Sequence, residues 1–466
     1  MGGLQFAFAI MGSFVSPYQK YKLQMQPWES YLSFLAGPIC GFFVQPIVGA
    51  LSDRCSLLFG RRRPYIVAGA ITTALSLAFL CFSWVPGQIF TPHNPARVAV
   101  IVALIGLILL NTTINMMLAP VRSIIQDIVP QQALDKGNAY SALMLGAAFF
   151  LCNIMFFILL AVFGIRPADA SFVTLLEAMG AFGAVVIVLL TIPTLIIGRE
   201  SPLKQVEQVA AAKLGDDAKE PEAKRFFLID MAITLIHMPA RLKTVCLVFF
   251  LSWAGYFPVQ MFTSSLFNLT EACLAIAISN LVGSLWTFPL AWLCSRFGEK
   301  WPYFCTQTLA AISTVGMVFV GPLNGAFPHS NFVTVPALII LMSFIGINTT
   351  TTNSAPFSMI GKEQSDNAGA YVGVMNAFCV LAQATVLLLS SIVSFPFGII
   401  PFLKHSAFFT EVHNLVPLIL SAMFTIAAAV CCLFLRTRSV KELMAEAQGY
   451  QDLEADETTG LLDDDM

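Results

Sequence analysis

Apolar residues run through this chain in stretches long enough to cross a bilayer, about 20 residues each, with short polar breaks between them. Spans are predicted near 4–17 (extending toward Tyr21), 31–51, 66–85, 98–119, 138–163 and 172–198. After a charged segment they resume near 244–263, 271–293, 303–321, 332–353, 368–393 and 412–435. The pattern predicts an all-α membrane protein with twelve transmembrane helices. Its expected parts are a six-helix bundle over 1–198, a linker with some surface helix over 199–243, and a second six-helix bundle over 244–436. An acidic, polar tail over 437–466 reads as disordered.

Composition sharpens the class. The 466 residues are 57% hydrophobic and only 11% charged, against about 25% charged in a soluble domain. A chain this apolar needs lipid as its solvent. A net charge of −2 points to no nucleic acid and no acidic partner. The eleven cysteines contain no C-x-x-C pair and fall mostly in apolar runs, where Cys packs as a small hydrophobe. No metal site or disulfide framework is expected. Cys431 and Cys432, near a helix end, are candidates for palmitoylation. The start MGGLQF misses the myristoylation pattern at Phe6, and no basic segment precedes the first apolar run as in a cleavable signal.

Charge is unevenly divided between the two sides of the membrane. With both termini cytoplasmic, that side receives Arg54, Arg61, Arg62, Arg63, Arg122, Lys136, eight Lys/Arg of 199–243, Arg296, Lys300, Lys362, Arg436, Arg438 and Lys441. The other side receives Lys20, Lys22, Arg97, Arg166 and Lys404. The excess of cytoplasmic Lys and Arg selects this topology. It places the sequon at Asn268 in an outer loop, where glycosylation is expected.

Two apolar spans break their own pattern: LNTTINMMLAP (110–120) and INTTTTNSAP (347–356). Asn111 lies about 14 Å from Pro120 along a helix and Asn348 about 12 Å from Pro356, so both fall near mid-bilayer. The two clusters belong to a longer repeat. Asn111 pairs with Asn348, Pro120 with Pro356, Gly60 and Pro64 of GRRRP with Gly298 and Pro302 of GEKWP, and Tyr140 of GNAY with Tyr371 of AGAY. The offsets of 231 to 238 residues imply two homologous halves. Because six is even, the halves run in parallel, as in many secondary transporters that bind at the midplane. Uncharged amides and hydroxyls at that depth suit a neutral, polyhydroxylated ligand such as a sugar. Interhelical hydrogen bonding, worth about 0.6–2 kcal/mol, accounts for the same residues equally well, and both readings stay open.

Several segments carry a family resemblance. QPIVGALSDRCSLLFGRRRPYIVAGA (45–70), GLQFAFAIMGSFVSPY (3–18), LAGPICGFFVQP (35–46), APVRSIIQDIV (119–129), SWAGYFP (252–258) and GVMNAFCVLAQ (373–383) resemble the sucrose/proton symporter family. That family is the glycoside-pentoside-hexuronide branch of the major facilitator superfamily. The resemblance implies the twelve-helix fold of two pseudo-symmetric halves. It also implies alternating-access transport of sucrose or a related glycoside, usually with a proton. Two positions depart from the family pattern. An aspartate of the fourth helix is replaced by Asn111, and a Thr-Asp pair after the seventh helix reads Thr263-Ser264. Asparagine binds no proton, so coupling is not inherited by default. A symporter with a relocated carboxylate, a facilitative carrier and a non-transporting sensor all remain.

No H-E-x-x-H, G-x-S-x-G or G-x-x-x-x-G-K-[ST] motif occurs, which argues against an enzyme, an ATP-driven pump or a cofactor. Candidate substrate-binding residues are Gln5, Asn111, Asn115, Asn348, Asn376 and Gln383. Candidate cytoplasmic gate residues are Asp53, Arg61, Arg122 and Asp127, whose ion pairs would hold the halves together and break as they rock. Glu457, Leu461 and Leu462 fit an acidic-dileucine sorting signal, which a clathrin-adaptor protein would read; a chance match accounts for so short a pattern equally well, so the expected location is the plasma membrane or an endosomal, lysosomal or vacuolar membrane.

Overall fold

The computed structural model describes residues 2–53, 55–57, 59–128, 134–198, 227–326, 331–361, 368–400 and 407–436. Among them there is no strand. The first helical run consists of α1 (Gly2–Ile10), a π-helical segment Met11–Val15, and α2 (Ser16–Tyr21). It is followed by α3 (Pro27–Ser33), α4 (Ala36–Asp53), α5 (Arg63–Cys81), α6 (Trp84–Phe90), α7 (Ala96–Ile128), α8 (Leu134–Phe163) and α9 (Ala170–Ile197). The later part contains α10 (Phe227–His237), α11 (Ala240–Leu266), α12 (Leu269–Phe297), α13 (Lys300–Ala326), α14 (Asn331–Thr352), α15 (Ala355–Gly361), α16 (Ala368–Ile399) and α17 (Ala407–Cys432).

Among the described residues, eleven helical runs are long and apolar enough to cross a membrane. The run Gly2–Tyr21, which carries Gln5, Ser13, Ser16, Gln19 and Lys20, is not among them. Large side chains such as Leu75, Phe90, Phe288 and Ile392 are exposed on the outer surface. The solvent for such a surface is hydrocarbon, and the protein is an integral, multi-pass membrane protein. Helices are longer than the apolar runs alone suggest. α7 continues through Pro120 to Ile128, and α10 with the start of α11 fills much of the segment after residue 226.

Local sequence sets the breaks. Pro27 opens α3, where the Gln26 backbone N–H donates to Glu29 Oε2 at 2.7 Å in a capping box. Asn268 caps α12, its side-chain oxygen accepting from Thr270 N at 3.0 Å. The repeat is visible in the backbone. Gly60 and Gly298 both adopt positive φ (121° and 75°), a conformation that glycine takes without steric cost. Each precedes a helix with proline in its first turn. The basic residues after them act alike. Arg63 donates to the Gly198 and Leu195 carbonyls at the end of α9 (2.8 and 2.6 Å), and Lys300 donates to Leu433 O at the end of α17 (2.7 Å). A cation is favourable at a helix C-terminus, so the motif staples the third span of each half to the sixth.

Small residues let spans pack closely within a half. A methyl on Gly346 of α14 would lie 2.1 Å from Ser279 O of α12, and one on Gly69 of α5 would lie 2.7 Å from Met117 Cβ of α7. Packing of this kind is the general way helices associate in lipid.

Candidate transport cavity

A cavity of about 650 Å³ lies between the two sets of spans. From the first set it is lined by Gln5, Gly12 and Ser13 of the first run, Leu118 and Arg122 of α7, and Gly146 and Phe149 of α8. From the second it is lined by Trp253, Tyr256 and Gln260 of α11, Ser279, Asn280 and Ser284 of α12, Thr349 and Thr350 of α14, and Asn353 just after that helix. Toward the face that carries the GRRRP loop, Arg122, Asn353 and Ser354 are exposed, so the cavity opens there.

The opposite face is sealed. Ser264 Oγ donates to Gly12 O (3.2 Å), Lys20 Nζ to Ser265 O (2.9 Å) and Ser391 Oγ to Trp28 O (2.9 Å). Aromatic rings close the same seam. Phe262 meets Tyr31 and Phe34 edge-on, with centroids at 4.8 and 5.4 Å, and Trp28 meets Phe395 at 5.2 Å. Every one of these contacts joins the N-terminal spans to the C-terminal spans. Closed on one side and open on the other, the assembly stands in one of the two states that alternating access requires.

The cavity wall mixes aromatic and uncharged polar groups. Trp253 and Tyr256, three residues apart on α11, meet edge-to-face at 5.6 Å. The Trp253 indole Nε1 is buried and has no hydrogen-bond partner among the described protein groups. Ser13 Oγ donates to Asn153 Oδ1 at 2.6 Å, and Asn280 Nδ2 donates to Ile276 O at 2.8 Å, leaving the Asn280 carbonyl oxygen free to accept. Among the described residues of the lining, Arg122 is the only formally charged side chain.

The residues expected from sequence divide between this cavity and the helix contacts around it. Gln5 lines the cavity and is 7% exposed. Asn111 and Asn115 do not. Asn111 Nδ2 donates to Leu107 O (2.8 Å), and a methyl on Gly37 of α4 would come within 3.0 Å of its Oδ1. Asn115 donates to Asn111 O (2.8 Å) and accepts from Gln45 Nε2 of α4 (2.6 Å). Asn115 thus hydrogen-bonds α7 to α4, and Asn111 bonds within α7 while its amide packs against Gly37 of α4. Asn348 is also buried away from the cavity, its Oδ1 without a protein partner. Its neighbour Thr349 faces the cavity in its place, because one residue turns a helix by about 100°. Asn376 is exposed on α16, and Gln383 donates to Cys379 Sγ at 3.6 Å; neither is in the cavity lining.

Arg122 lines the cavity itself. Arg61 lies in the loop before α5, and its neighbour Arg62 donates to Ser52 Oγ at 2.7 Å. The side chains of Asp53 and Asp127, and the residues Glu457, Leu461 and Leu462, lie outside the described residues. Sequence reasoning missed Ser13, Trp253, Gln260, Asn280 and Asn353. The signal was present in Asn280 and Ser284, a polar pair four apart within the eighth apolar span.

Two parallel helical halves around a cavity that is open to one face define a membrane carrier. The chain belongs to the Major Facilitator Superfamily, whose sequence profile matches residues 2–387. It is therefore read as a transporter and not an enzyme. It is similar to a sucrose transport protein of Arabidopsis thaliana (SUC4), 26% identical over 423 residues, covering 82% of this chain and 80% of that protein. It is similar to the membrane-associated transporter protein of Mus musculus, 23% identical, covering 78% and 77%. A general alpha-glucoside permease of Schizosaccharomyces pombe is 26% identical over 56% of this chain and 46% of that protein. Among solved structures, the inward-open form of the xylose transporter XylE from E. coli shares the fold, with a TM-score of 0.63, 16% identity, and coverage of 95% and 96%.

Proposed function

We propose that the chain carries a neutral sugar, sucrose or another glycoside, across a membrane by rocking its two halves about the central cavity. The observation that carries this reading is the cavity wall. Trp253 and Tyr256 offer an aromatic face for the apolar side of a sugar ring, while Gln5, Gln260, Asn280 and Asn353 offer amides to its hydroxyls. Arg122, facing the same space, adds hydrogen-bond donors. The names of the sucrose and alpha-glucoside relatives support the substrate class.

In this reading the halves are the bundles 1–198 and 244–436, joined by the linker 199–243, and the GRRRP face with both termini is cytoplasmic. The structure then corresponds to the inward-open state. Asp53, Arg61 and Asp127 are proposed to close the cytoplasmic mouth when the halves rock, and Asn268 to carry glycan on the outside. The tail signal at Glu457, Leu461 and Leu462 would direct the protein to an endosomal, lysosomal or vacuolar membrane. Proton coupling is the second reading, suggested by the resemblance of several segments to the sucrose/proton symporter family. Against inherited coupling stands Asn111, packed between helices where the resembling family carries a carboxylate.

The test is uptake of radiolabelled sucrose, maltose and glucose by proteoliposomes, with and without an imposed pH gradient. Saturable uptake that Trp253→Leu weakens supports the reading. Binding without flux for every sugar would turn it to the sensor alternative.

A further inference from the structure

The first helical run changes its hydrogen-bond register where it meets the other half. Between α1 and α2, the segment Met11–Val15 is π-helical. A π turn bonds each N–H to the carbonyl five residues back. The Ser16 N–H, which an α turn would give to Gly12 O, is thereby directed at Met11 O. The next donor in line for Gly12 O is residue 17, and Pro17 has no N–H. The Gly12 carbonyl is left without a donor in its own helix. Its partner comes from the opposite half, where Ser264 Oγ of α11 donates to it at 3.2 Å.

This bond closes the sealed end of the large cavity. Gly12 and Ser13 line that cavity, and so does Gln260, one turn of α11 before Ser264. With no side chain, Gly12 leaves its backbone open to close approach; even a methyl there would touch Gln260 O, at 3.5 Å.

The two ends of the bond fare differently when the halves part. Ser264 can turn its hydroxyl to Gln260 O, four residues back in its own helix. Ser252 makes such a bond to Val248 O (2.8 Å) and Thr263 to Val259 O (2.5 Å). Gly12 O has no such substitute, and a carbonyl at this depth must be paired. Resting on the carrier reading above, we propose that the Gly12 carbonyl is a sugar-binding acceptor used in one state only. It takes a sugar hydroxyl when the face opposite the GRRRP loop opens. Ser264 reclaims it as that face closes, which displaces the hydroxyl and loosens the sugar for release at the GRRRP face.

The test measures KM for labelled sucrose and maltose from each face, by zero-trans uptake into right-side-out and inside-out vesicles that hold the full chain. Pro17→Ala supplies the missing N–H, and KM from the opposite face should rise about 3- to 10-fold, the value of one hydrogen bond. Ser264→Ala leaves Gly12 O to the sugar in both states, so KM from the GRRRP face should fall by a similar factor. Ser264→Thr returns the hydroxyl and should reverse that fall. Combining Pro17→Ala with Ser264→Ala should abolish it, because the new backbone N–H already holds the carbonyl. A seam bond without a sugar contact predicts the reverse sign: its loss depopulates the state open at the GRRRP face and raises KM there. A KM from that face unchanged or raised in Ser264→Ala overturns the proposal, as does a double variant that keeps the fall. Wild-type flux with silent variants sinks this proposal alone, whereas wild-type vesicles that carry neither sugar sink the carrier reading and this proposal with it. A second measurement needs no variant. Among monodeoxy sucroses, at least one should lose affinity about threefold or more from the opposite face and keep it from the GRRRP face. Equal losses at both faces for every analogue also overturn the proposal.

Discussion

Phe262 is the keystone of the sealed face, and replacing it should unlatch the carrier by a calculable amount. Its ring is 1% exposed and meets two rings of the other half, Tyr31 and Phe34, at 4.8 and 5.4 Å and near-perpendicular angles of 72° and 89°. Phe262→Leu keeps most of the apolar bulk and removes both edge-to-face contacts. Each such pair is worth about 0.5–1.5 kcal/mol beyond area burial, so the seam loses about 1–3 kcal/mol. At 1.36 kcal/mol per tenfold, the population open at this face should grow about 5- to 150-fold. Hydrogen–deuterium exchange read by mass spectrometry reports it directly, since protected amides exchange in proportion to the open population. Segments 27–34 and 258–266 should exchange faster by that factor, while 303–314, packed inside one half, should not change. Exchange within twofold of wild type at both seam segments would refute the latch.

Four further outcomes follow from the same geometry. Trp253→Leu removes the aromatic platform; at about 1–3 kcal/mol the apparent affinity for sugar should fall about 5- to 150-fold in a proteoliposome uptake assay. Asn111→Ala should lower thermal stability through its α4 contacts yet leave the KM for sugar within about twofold, because a loss near 1 kcal/mol from a helix contact is not a loss from the cavity. Asn111→Asp places a titratable carboxyl at a site only 3% exposed; uptake should then depend on pH more steeply than in wild type when measured between pH 5 and 8. Arg63→Met breaks two charge-assisted bonds to the end of α9, each worth about 1.5–3 kcal/mol, and should lower the unfolding temperature while leaving sugar selectivity unchanged.

The fold was largely legible because the bilayer imposes one dominant length on every span, and apolar runs report that length directly. The repeat was legible for a different reason: GRRRP and GEKWP encode a backbone conformation and a helix-end contact that both halves need. The cavity was legible in depth but not in direction. Asn111 and Asn348 do sit within their spans, but depth says nothing about azimuth. Asn348 and Thr349 differ by one position, and only the second reaches the cavity. Asn111 and Asn115 share a helix face with Leu118 and Arg122, and that stripe enters the cavity only at its lower end. A single stripe that packs against a neighbouring helix at one level and lines a cavity at another looks uniform in a single sequence. The aromatic pair Trp253 and Tyr256 was hidden for another reason: aromatic residues within an apolar run read as ordinary packing.

The carrier reading stands or falls on entrance counterflow. Proteoliposomes preloaded with millimolar unlabelled sucrose or maltose are diluted into a trace of the same sugar, labelled. A carrier that rocks between two faces should accumulate label transiently above equilibrium, at a rate set by the preloaded sugar and reduced by Trp253→Leu. Label that only rises smoothly to equilibrium, at the same rate in empty and preloaded vesicles, would contradict it.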